Sequence, residues 1–113
     1  MPQSYYNVQI IDYTKRGRHT PKTIFSSHSA REAAIEAAKI ARNFESQKYR
    51  VMEDNTYDAP FGYHPYIVYD YPGREQGLWP GRNAFKKAYI IQIVNQNNEP
   101  IDLLFAKGVM KLR

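Results

Sequence analysis

Residues 5–13 alternate. Tyr6, Val8 and Ile10 fall on one side of an extended chain and Asn7 and Gln9 on the other, the period of two that marks a half-buried strand. Residues 14–22 then hold Gly17 and Pro21 among Lys15, Arg16, Arg18 and His19, with Lys22 at the end, before β-favouring residues resume at Thr23-Ile24-Phe25-Ser26. Two extended runs around a glycine- and proline-bearing loop predict a hairpin, and this one has a basic tip.

The period next lengthens from two to 3.6. Ala33, Ala37, Ile40 and Phe44 recur at spacings of three and four, flanked by Ala34, Ala38 and Ala41, while Arg31, Glu32, Glu36, Lys39, Arg42 and Asn43 take the other side. This is an amphipathic helix. Its start is marked by Ser29, which can cap the N–H of Glu32 while the Glu32 carboxylate reaches back to the Ser29 amide. An inner face made mostly of alanine lets the helix axis come close to a sheet.

Two shorter β-rich runs follow at 48–52 and 66–69. The most apolar stretches are 87–94 and 101–106, joined by the polar turn Asn95-Gln96-Asn97-Asn98-Glu99-Pro100, which predicts a closing hairpin. Tyr89, Ile91 and Ile93 oppose Ile90 and Val94, so both faces of that strand want burial. One face meets the helix, and loops or a second subunit must cover the other. The expected fold is α+β: one helix on a mainly antiparallel sheet of five to six strands, in the order ββαββββ, as a single domain over residues 1–113. Segments 54–65 and 71–85 are long for connections in so small a domain. They carry Tyr57, Phe61, Tyr63, His64, Tyr71, Trp79, four prolines and four glycines, a composition that favours ordered loops.

Composition narrows the function classes. At 113 residues with 42% hydrophobic and 14% aromatic side chains, the chain can offset its conformational entropy and fold around one core. It has no cysteine, which removes disulfides, thiolate metal sites and thiol catalysis. The N-terminal residues show no basic region followed by an apolar stretch, and no apolar run approaches the roughly 18 residues of a membrane span. A cytoplasmic protein without membrane contact is expected. The net charge of +5 is unevenly spread: residues 1–50 carry +5, 51–75 carry −4 and 76–113 carry +4. Such a chain folds into either a mixed surface or two poles, with a bias toward anionic partners.

The templates for chemistry fail in turn. The six glycines never take a phosphate-cradling spacing. Asp54-Asn55-Thr56-Tyr57-Asp58 lacks the central glycine and closing glutamate of a calcium loop. None of the three histidines is spaced for zinc. His28 beside Ser29 is explained by helix capping. His64, with Asp58 and Asp70 on either side in sequence, has no accompanying nucleophile and reads as a hydrogen-bonded structural histidine. No catalytic set, no metal site and no cofactor is expected.

What remains is recognition. Lys15, Arg16, Arg18, His19 and Lys22 form a cationic tip that either contacts phosphates or solvates a hairpin end and keeps a sheet edge from aggregating. Tyr63, Arg74 and Arg82 belong to aromatic segments whose rings and guanidiniums suit base stacking, protein anchoring or completion of the core. The expected function is a non-enzymatic module that binds nucleic acid or a nucleic-acid-handling protein through these residues. The size and charge profile is one common among phage and mobile-element accessory proteins. The alternative is a homo-oligomeric adaptor or inhibitor whose contacts are with protein alone.

Overall fold

The computed structural model describes residues 5–53, 65–77 and 84–101. In chain order they form β1 (Tyr6–Asp12), β2 (Lys22–Ser27), α1 (Ala30–Ser46), β3 (Arg50–Glu53), β4 (Tyr66–Asp70), a 3-10 turn (Arg74–Gln76) and β5 (Lys86–Asn95). The strands make one antiparallel sheet in the order β2-β1-β5-β4-β3, and α1 packs across it. The fold is α+β as expected, with five strands among the described residues. The sixth expected strand falls beyond Ile101, outside them. The hairpin that would lead to it does begin: Val94 bridges Pro100, and the Ile101 N–H donates to the Ile93 carbonyl at 2.9 Å.

The alanine face explains the packing. Ala33, Ala34, Ala37 and Ala41 are buried against Val8, Tyr66, Val68, Ile91 and Ile93. The fully buried branched side chains all come from the sheet. Each contributes roughly 1.5–3 kcal/mol by leaving water, and the methyl-sized helix side chains let Val8, Val68, Ile91 and Ile93 do so without a gap.

The opposite face of the sheet departs from simple alternation. Gln9, on the polar side of the β1 alternation, and Gln92 are each only 8% exposed, with Ala88 and Val94 buried on the same face. The reason is sheet position. β1 and β5 are interior strands, so Gln9 lies between Thr23 and Gln92 in register. The Gln92 Nε2 donates to Gln9 Oε1 at 2.9 Å and the Gln9 Nε2 to Thr23 Oγ1 at 3.2 Å. Paired amides can be buried where single ones would cost free energy.

Both helix ends are fixed by neighbours. At the start, Ser29 Oγ accepts from Glu32 N–H at 3.2 Å. The return half of the expected capping box is different: Ser27 Oγ donates to Glu32 Oε2 at 2.6 Å and accepts the Ser29 N–H at 3.0 Å. The β2 hydroxyl thus relays between carboxylate and amide, since Ser27 at the end of β2 lies closer to both. At the other end, Lys48 N–H bonds the Glu45 carbonyl and Tyr49 N–H the Phe44 carbonyl, with Lys48 at φ +71°. This is a Schellman motif whose left-handed position is held by lysine instead of glycine.

Candidate functional site

The tip of the β1–β2 hairpin is ordered by its own side chains. Asp12 Oδ1 accepts from Thr14 N–H at 2.8 Å and from Thr14 Oγ1 at 2.5 Å, an Asx turn that starts the loop. The Thr14 hydroxyl, assisted by its amide and by the nearby charges of Lys15 and His19, holds the Asp12 carboxyl below its ordinary pKa against the opposing effect of burial. Gly17 stands at φ +100°, where an L side chain is strained. His19 Nε2 lies 2.9 Å from the Lys15 carbonyl, so this nitrogen donates, and its ring rests 4.7 Å from that of Tyr13. Lys87 Nζ sits 5.5 Å over the same Tyr13 ring.

These contacts bring five sequence-predicted residues together. Lys15, Arg16, Arg18, His19 and Lys22 all line one open depression of about 530 Å³, with Ile10, Asp12, Thr20, Ile24 and Tyr89. Four permanent cations face one carboxylate, and that carboxylate is engaged by Thr14. The helix packs across the sheet without reaching this depression. The helix begins beside the end of β2 and finishes with Phe44 4.8 Å from Tyr89 and 5.4 Å from Tyr49. No helix residue lines the corner between the end of β1 and the start of β2. Ile10 and Tyr89 form its floor on the helix side of the sheet, and Ile24, 42% exposed, stands at its edge.

Arg74 is placed elsewhere. Its Nε donates to Asp70 Oδ1 at 2.7 Å, its Nη1 donates to the Gln47 carbonyl at 2.8 Å, and its guanidinium carbon lies 3.8 Å from the centre of the Tyr49 ring. Burial opposes its charge, yet the Asp70 hydrogen bond and the Tyr49 and acidic neighbours raise its pKa overall. With the Tyr71 hydroxyl donating to the Lys48 carbonyl at 2.7 Å, Arg74 closes the C-terminus of α1, whose last turn has no cation of its own. It is 17% exposed and engaged with the fold rather than with the depression. Tyr63 and Arg82, with Trp79 and His64, lie outside the described residues.

Sequence reasoning missed Ile10, Ile24, Tyr89 and Lys87 as neighbours of the tip. Each was legible as a strand residue, but only the pairing of Asp12 with Tyr89 and of Ile10 with Lys22 puts them beside it. Among the described residues no group of three or more His, Asp or Glu converges as metal ligands, and no helix is long and apolar enough to cross a membrane. No protein-family model, curated protein or solved structure matches this chain.

Proposed function

We propose that this protein is a non-enzymatic binding module that holds nucleic acid by its phosphates at the basic tip of the β1–β2 hairpin. One observation carries the reading: Lys15, Arg16, Arg18, His19 and Lys22, scattered over eight positions of sequence, converge on a single open depression. Cations that only solvate a hairpin end have no need to converge. The loop is also ordered before any partner arrives, so association loses less side-chain and loop entropy. Lys87, over Tyr13, extends the positive surface toward the start of β5.

Binding through phosphates is sequence-independent and salt-sensitive. With roughly four phosphates engaged, log affinity should fall against log salt with a slope of about −3 to −4. Replacing Lys15, Arg16 and Arg18 together with alanine should weaken binding to all sequences alike and flatten that slope, while the circular dichroism melt stays unchanged. A protein that binds neither DNA nor RNA at about 50 mM salt does not have this function.

A protein interface is the second reading, favoured by β2 standing at the sheet edge among the described residues and by the exposed Ile24 of β2 and Ile35 of α1. Light scattering across a dilution series separates it: a stable homo-oligomer without nucleic-acid affinity would put the interface first.

A further inference from the structure

The depression has an apolar floor that phosphate binding does not require. Ile10 and Tyr89, with Ile24 at the edge, share its lining with the cations. Tyr89 also packs against Phe44 at 4.8 Å and Tyr49 at 6.0 Å, so its ring is held in place by neighbours that do not line the depression. The volume of about 530 Å³ falls in the range of roughly 300–1,000 Å³ over which proteins enclose small organic groups. A duplex keeps its bases stacked inside and offers such a floor nothing. A single strand has unpaired bases whose flat faces seek aromatic and apolar partners while the backbone follows the positive charge.

Resting on the phosphate-binding reading, we infer that the nucleic acid bound here is single-stranded, one base lying in the depression against Tyr89, Ile10 and Ile24 with its flanking phosphates on the cationic rim. Arg16, Arg18 and Lys22 hold the backbone. The base is chosen for its π face rather than its edge, so the site tolerates different sequences.

Fluorescence anisotropy with a labelled oligodeoxythymidylate of roughly 15 nucleotides, a duplex of the same length and thymidine monophosphate tests this. At about 50 mM salt the single strand should bind about tenfold more tightly than the duplex, and the mononucleotide far more weakly than either. Ile24→Ser removes apolar surface at a half-exposed position of β2. It should weaken the single strand about fivefold and leave the duplex affinity unchanged. Photo-crosslinking with 5-iodouracil in the strand gives a readout independent of that variant, and the adduct should map to Tyr89. Failure of every probe to bind removes the phosphate reading itself. Equal binding of strand and duplex, an Ile24→Ser variant without effect, adducts confined to the tip, or a mononucleotide as tight as the strand each overturns the inference. Strand and duplex binding equally leaves phosphate recognition standing.

Discussion

Arg74 is the side chain whose removal should cost this fold most for its exposure. It joins three elements: Asp70 at the end of β4, the Gln47 carbonyl at the end of α1 and the Tyr49 ring before β3. The Asp70 side chain is 44% exposed, so solvent screens that pair and its share is about 1 kcal/mol or less. The bond to the Gln47 carbonyl, a charged donor at the negative end of the helix, adds about 1 kcal/mol. Stacking over Tyr49 adds about 0.5–1 kcal/mol. Arg74→Ala should therefore lose about 2–3 kcal/mol, or on the order of 10 °C in Tm for a chain of this length. Arg74→Lys should recover under half of it, because an ammonium cannot reproduce two donors in a fixed plane. Urea denaturation followed by far-UV circular dichroism at neutral pH measures the loss, and a double-mutant cycle with Asp70→Asn isolates the pair. A loss below about 0.5 kcal/mol would refute the assignment of Arg74 to the helix end. Its affinity for nucleic acid, measured well below the melt, should change less than about twofold, since the guanidinium is already engaged; a drop of about tenfold with the fold intact would return Arg74 to the binding surface.

Three further outcomes follow from the described geometry. Ser27→Ala should cost about 1 kcal/mol, as should Ser29→Ala, because the β2 hydroxyl relays between Glu32 and the Ser29 amide; a silent Ser27→Ala by thermal melt would mean the carboxylate caps the amide directly. Lys48→Gly should raise stability by about 0.5–1 kcal/mol by relieving a left-handed lysine, despite losing the 3.2 Å bond from Lys48 Nζ to the Glu75 carbonyl, and a lower urea midpoint would contradict it. The Asp12 carboxyl titrates below its ordinary 3.8, so its stabilisation of the tip is complete above that value and is lost as pH falls through the lower, folded one. The Thr14 amide shift should report this transition by NMR, and Asp12→Asn should abolish it.

Local features of the chain were legible from residues alone. The alternation around Val8, the alanine face and the Ser29 cap each rest on interactions within a few positions, and so does the Asn95–Glu99 turn, where Asn95 N–H bonds the Glu99 carbonyl at 2.9 Å. The same holds for the cationic tip, because hairpin loops project wherever their strands pair. What sequence could not decide was adjacency. Placing β5 between β1 and β4 is what encloses Gln9 and Gln92, brings Tyr89 beside Asp12 and sets Lys87 over Tyr13. Pairing partners 80 or so positions apart are selected by the packing of whole faces, which no local period encodes. Arg74 shows the same limit from the other direction. Its residue type and aromatic company suited an exposed binding loop, and only the approach of the turn after β4 to the end of α1 turned it inward. The cations of the tip were thus a property of the sequence, and the floor beside them is a property of the sheet, because strand pairing sets Ile10 and Tyr89 next to the tip where, among the described residues, the helix lends no side chain.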